Sequence, residues 1–221
     1  MIKKGLNYLG ALLLIALVFS CSSEDGPQIK VDVNVDHDES KECSYTYNAD
    51  SSSLNWTAFK TNDRVAVGGS FDSLEVVLLE KEFTSPTQML ESASFKVYTS
   101  SVFTNNSIRD NTLRNYFFSK LDNEGLITGN FKIVEGDDQS GGGVVSIDLN
   151  GVKRDVGYEY AVDIDGISIK TQINLVSFSG QEAVQSLNKE CDELHKGADG
   201  ISKLWPEVEI VVKVVLDKKC D

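Results

Sequence analysis

Apolar residues recur at every second position over much of this chain, the period of a strand with one buried face. Leu54, Trp56 and Ala58 alternate with Asn55, Thr57 and Phe59, and Phe95 and Val97 with Lys96 and Tyr98. Val156, Tyr158, Tyr160 and Val162 share one face, as do Ile167, Ile169, Thr171 and Ile173. The last such run sets Val208, Ile210, Val212, Val214 and Leu216 opposite Glu209 and Lys213. Adding 65–71, 75–79, 126–134 and 144–149 predicts about eight or nine strands. Asn150-Gly151 and Asp165-Gly166 predict tight hairpins between neighbouring runs.

Three segments change period. Ser85-Pro86-Thr87-Gln88 has the form of a capping box with proline in the first turn of a helix. Gln181 to Lys196 carries Val184, Leu187, Cys191 and Leu194 on one stripe, with Gly197 as its terminator. Between Asn106 and Phe118, Ser107 is placed to cap a short helix and Asp110 sits in its first turn. Leu113, Tyr116 and Phe117 then fall on one face. So short a helix is marginal alone, which predicts a plug or lid packed on a sheet. Strands dominate, and no strand–helix–strand rhythm or internal repeat is present. The expected fold is all-β, an antiparallel barrel of about eight strands with short decorating helices.

The N-terminus has a different logic. Lys3 and Lys4 precede an apolar run from Leu9 to Phe19, too short for a membrane span of about 20 residues and shaped as a signal peptide. Val18-Phe-Ser-Cys21 resembles a lipobox, so residues 1–20 are expected to be removed and Cys21 lipidated. Several acyl chains on one cysteine anchor stably where one chain holds only marginally. Residues 21–42 read as an acidic tether, since Asp36, His37, Asp38 and Glu39 repel into a solvated spacer rather than a fixed metal site. The barrel domain is then 43–221. Glu24-Asp25, with no aspartate at Ser22, points to an outer-membrane lipoprotein of a bacterial envelope.

The formal charge of −13 becomes −15 once Lys3 and Lys4 are gone. That field repels phosphate backbones and argues against nucleic-acid partners. Cys43, Cys191 and Cys220 remain, and an exported chain favours one disulfide. Cys43 and Cys220 stand at the two ends of the domain, which an even-stranded closed barrel brings together; pairing through Cys191 is the alternative. The longer loop is worth about 5 kcal/mol on the chain-entropy model.

Catalytic signatures are sparse. Cys191 and His195 are one helical turn apart, two metal-ligand types without a second pair. A buried cysteine beside a surface histidine is the simpler expectation, and no Gly-x-Ser-x-Gly turn offers a nucleophile. Gly141-Gly-Gly143, after Asp137-Asp138, reads as a flexible hairpin tip, and Asp163-Ile-Asp165-Gly166 as a turn too short for calcium. No cofactor, metal or catalytic residue is expected. The rival catalytic reading rests on Cys191 and His195 alone.

Several stretches carry a family likeness. Tyr47-Asn-Ala-Asp-Ser-Ser-Ser-Leu-Asn-Trp-Thr-Ala-Phe59 resembles the opening strand of the YceI-like, polyisoprenoid-binding family, and Val67-Gly-Gly-Ser-Phe71 its second. Arg109, Asp110, Leu113, Phe117 and Phe118 match its Arg-Asp-x-x-Leu-x-x-x-Phe-Phe element, and Asp148-Leu-Asn-Gly-Val152 a later turn. Asp50 and Ser51 stand where the family's opening strand has a histidine. The resemblance implies an elongated lipocalin-like antiparallel barrel around a hydrophobic channel that holds an isoprenoid lipid of quinone or polyprenyl type. The residues expected to face that channel are Leu54, Trp56, Phe71, Phe95, Val97, Leu113, Phe117, Phe118, Phe131, Ile169 and Ile173. Arg109 is a weak candidate for a headgroup contact, with an anchoring ion pair to Asp110 or a neighbour the stronger expectation. The rival is a structural or interaction lipoprotein whose barrel is filled, since a barrel of this size either packs its interior or holds one small ligand.

Overall fold

The structure is a computed structural model that describes residues 42–122 and 125–220. Cys21, the tether and the signal segment lie outside them. The described residues form one antiparallel ten-stranded sheet that curls into a barrel. In chain order its strands are β1 (Cys43–Lys60), β2 (Val65–Phe71), β3 (Leu74–Val77), β4 (Ser94–Tyr98), β5 (Val102–Phe103), β6 (Leu126–Gly136), β7 (Ser140–Leu149), β8 (Val152–Val162), β9 (Gly166–Asn174) and β10 (Leu204–Cys220). They lie side by side as β3-β4-β6-β7-β8-β9-β10-β1-β2-β5. Helices α1 (Pro86–Ser92), α2 (Ser107–Tyr116), α3 (Gln181–Glu190) and α4 (Asp192–His195) decorate it.

The alternation predicts this sheet well, with β5 an addition of two residues. Asn150 and Gly151 both take positive φ in the β7–β8 turn, and Asp163 Oδ1 accepts from the N–H groups of Asp165 and Gly166 between β8 and β9. Cys43 and Cys220 are register partners of β1 and β10, disulfide-bonded with Cα atoms 4.1 Å apart, which closes 177 residues. Cys191 is free.

Four expectations are corrected. Gly141–Gly143 is not a hairpin tip but part of β7, paired with β6 and β8. Its reason is steric: a Cβ on Gly141 would meet Glu135 O at 2.0 Å and the Tyr160 hydroxyl at 2.7 Å, and one on Gly143 would meet Ile133 O at 1.9 Å, so the glycines let the neighbouring backbone and Tyr160 approach closely. The helix expected over Gln181–Lys196 breaks at Cys191 into α3 and α4, and Lys196 leaves it extended. Asn106, not Ser107, caps α2, its Oδ1 accepting from the N–H groups of Ile108 and Arg109. Asp110 does not pair with Arg109 either; its Oδ1 accepts from Thr104 N at 2.9 Å and Thr104 Oγ1 at 2.6 Å. The anchoring arginine is Arg114, which donates to the carbonyls of Ser100 and Val102, each at 2.8 Å.

The two ends of the barrel are closed differently. At the end carrying the β6–β7 and β8–β9 tips, Phe83, Tyr160, Ile167 and Leu216 are buried together and α1 adds Met89 and Leu90. At the other end α2 and α3 pack over the barrel with Leu175, Phe178, Ala183 and Leu187 buried beneath. Phe117 points inward there, whereas Tyr116 is exposed.

Along one line the wall has no ladder. Tyr45 and Phe83 exchange two backbone hydrogen bonds of 2.9 and 3.0 Å, fastening the start of β1 to the chain beyond β3. Farther along, β2 pairs with β1 from Asn55 to Lys60, and Asp72 N donates to Ser101 O at the β2–β3 corner. Between these fastenings β1 comes close to β3, and no backbone hydrogen bond joins the two strands among the described residues. β1 also carries a bulge, along the edge it shares with β10. Asn48 pairs with Val215 and Ser53 with Lys213, so residues 49–52 stand opposite Val214 alone. Ser52 Oγ donates to Asn48 O and accepts from Val215 N, which fixes the bulge.

Candidate functional site

Inward side chains of nearly every strand converge on a hollow in the helix-covered part of the barrel. The cavity is ≈ 210 Å³, counted as room for the centres of water-sized spheres. A single water needs about 10–15 Å³ by that measure, so this is no packing defect. No Asp, Glu, Lys, Arg or His lines it.

The eleven side chains expected to face the channel all line this cavity. β1 supplies Leu54 and Trp56, β2 Phe71, β4 Phe95 and Val97, β6 Phe131, and β9 Ile169 and Ile173. Leu113 comes from α2, with Phe117 and Phe118 just beyond it. Phe118 packs edge-on against Phe117 and Phe71, with centroids 5.0 and 5.9 Å apart, so the helix roof is keyed to β2. Sequence reasoning missed Met89 and Leu90 of α1, Leu187 of α3, and Trp205. For Leu187 the helical stripe was the available signal; for Met89, Leu90 and Trp205 there was none. The inward face of β10, Val208 to Val214, was legible as a face but not as cavity wall.

Glycines set the width of this wall. A Cβ on Gly69 would meet Trp56 Cζ2 at 2.5 Å and Phe103 O at 2.8 Å, and one on Gly129 would collide with the Phe95 ring. Large aromatic rings therefore lie flat across facing glycines, where two ordinary side chains would fill the space.

Polar atoms near the hollow are held by the wall. Thr171 Oγ1 donates to Gly157 O at 2.7 Å, and Tyr158 donates its hydroxyl to Ile133 O at 3.0 Å. Burial pushes the Tyr158 phenol up to about 12, so it stays neutral, and burial raises Tyr47 as well. Trp205 donates its indole N–H to Thr61 O at 2.7 Å, whereas the buried Trp56 N–H has no partner.

Arg109 lies on the exposed surface of α2 and does not line the cavity. Cys191 and His195 lie outside the cavity lining too. His195 is buried, not at the surface as expected, because α4 turns it inward to place Nδ1 2.9 Å from Asn188 Oδ1. Burial and the Glu190 carboxylate push the Cys191 thiol up, with Lys60 opposing. Burial and Lys60 pull the His195 imidazole down, with Asp192 opposing. Both shifts favour the neutral forms, the reverse of an activated thiolate–imidazolium pair. Among the described residues no group of three or more His, Cys, Asp or Glu is placed to hold a metal ion.

No family model and no curated protein matches the chain. Solved structures do. A polyisoprenoid binding domain from Saccharophagus degradans, implicated in plant cell wall breakdown, superposes with a TM-score of 0.55 at 16% identity, over 80% of this chain and 98% of that one. Burkholderia cenocepacia BcnA gives 0.55 at 12% identity, over 77% and 99%. A Campylobacter jejuni YceI protein gives 0.45 at 17% identity, over 69% and 84%. The described residues share the fold of the polyisoprenoid binding domain and of BcnA.

Proposed function

We propose that this protein binds a long isoprenoid lipid, of quinone or polyprenyl type, inside its barrel and carries out no chemistry on it. The observation that carries the reading is the hollow itself, walled by apolar and aromatic side chains with no charged residue. An isoprenoid chain needs desolvation and little else, at about 0.8 kcal/mol per buried CH₂. Some fifteen buried carbons thus supply about 12 kcal/mol, enough to exceed ordering costs of several kcal/mol. The name of the Saccharophagus degradans domain, a polyisoprenoid binder of the same fold, supports the lipid class. Cys21 anchors the chain in the outer membrane of a bacterial envelope, and the segment up to residue 42 lets the barrel reach lipid while tethered.

The filled-barrel alternative suits the end where Phe83, Tyr160, Ile167 and Leu216 are buried together and do not line the hollow. Titration of delipidated protein with farnesol, a fifteen-carbon prenol, tests the reading. Trp56 and Trp205 both line the hollow, so tryptophan fluorescence reports occupancy. Saturable binding is expected, with at least tenfold loss in Ile169→Trp, which fills the space. Equal binding by both proteins, or none by either, would remove the proposal.

A further inference from the structure

We propose that the lipid enters and leaves the barrel sideways, through the unladdered seam between β1 and the chain at β3, rather than through an end. This rests on the reading of the hollow as a lipid site and adds the route into it. Both ends are closed by buried side chains: Phe83, Met89 and Leu90 at one, Phe178, Ala183 and Leu187 at the other. Opening either end means unpacking helices and exposing that apolar surface.

The seam requires no such loss. Its two edges share no backbone hydrogen bonds between the Tyr45–Phe83 fastening and the β2–β3 corner. Parting them breaks side-chain contacts only, whereas parting any other neighbouring strands breaks a ladder. β1 also bulges at residues 49–52 in its ladder with β10, so the strand is irregular alongside the gap. Cavity-lining residues flank it on both edges, Tyr47 and Leu54 on β1 and Leu74 and Val76 on β3. Outside, Val77 is 45% and Leu79 84% exposed, an apolar step on a rim that also carries the exposed Glu75, Glu80 and Asp50. An extended chain suits a slot parallel to the strands, since it passes lengthwise instead of threading an end.

The test straps the seam shut. Ser51→Cys and Val77→Cys, both exposed positions outside the cavity lining, are bridged with a short bis-maleimide in a Cys191→Ser background. Farnesol binding and release are then followed by stopped-flow tryptophan fluorescence. The strapped protein is expected to bind and release farnesol at least tenfold more slowly with an unchanged Kd, because a portal is crossed in both directions. The two single-cysteine variants, each capped with a mono-maleimide, are the references, and the strapped protein is expected to be slower than both. Parent rates in the strapped protein would overturn the route, as would slowing by a maleimide on Ile108→Cys of α2 instead. Failure of any linker length to bridge two cysteines that alkylate singly would remove the seam itself. Absence of farnesol binding to the unstrapped protein would overturn the lipid reading, and the portal with it.

Discussion

The hollow depends on single residues that give up a side chain. Gly69 lies across the ladder from Trp56, and the indole occupies the space its Cβ would fill. Gly69→Ala is expected to force the indole inward or the strands apart and to cost about 1–3 kcal/mol, as overpacking does. Gly157 in β8 provides the contrast, because an added Cβ there meets nothing closer than 3.9 Å. Gly157→Ala is expected to leave stability nearly unchanged, with denaturant midpoints comparing the two. Glycine between strand residues marks places where another group approaches closely, but only the structure says which group. That is why Gly141–Gly143 reads as a loop in one dimension and is strand in three. Trp56, Phe71 and Phe95 were legible as inward-facing because a period of two leaves them no other face.

At the scale of elements, helix ends are where the local pattern loses authority. Asn106 and Ser107 are both competent caps, and the choice follows from Asp110 accepting from Thr104 and Arg114 donating to Ser100 and Val102. Those partners are long-range or loop-borne, so residue spacing does not show them. In the same way the stripe from Val184 to Leu194 suits one helix, yet the chain breaks at Cys191 and α4 turns His195 into the interior. This burial has a pH consequence. Burial and Lys60 hold the folded imidazole below its ordinary value of 6.5, with Asp192 opposing. The folded state therefore binds fewer protons than the unfolded chain, and stability present above pH 6.5 is lost as pH falls through the lowered value. Asp137, Asp155, Asp192 and Asp199 are also held below their usual carboxylate value of 3.8, so what they contribute is lost only at still lower pH. Denaturation as a function of pH is expected to show a separate decline below 6.5 that flattens in His195→Gln.

At the scale of the whole molecule, curvature decides what alternation leaves open. The same inward rows of valine, isoleucine and phenylalanine join the buried core at the end with Phe83 and Tyr160 and leave a hollow where glycines face tryptophan and phenylalanine. The Cys43–Cys220 closure, one of two pairings that the sequence left open, was within its reach because those cysteines stand at the two ends of the domain. The seam was not, because alternation gives each strand's faces but not which edges pair, and β2 pairs β1 only from Asn55 to Lys60. The central claim is that the hollow exists to hold a long isoprenoid chain. Organic extraction of the purified protein followed by mass spectrometry tests it most directly. Recovery of a single prenyl lipid class near one per protein is the predicted result; protein that yields none and takes up no added prenol would contradict it.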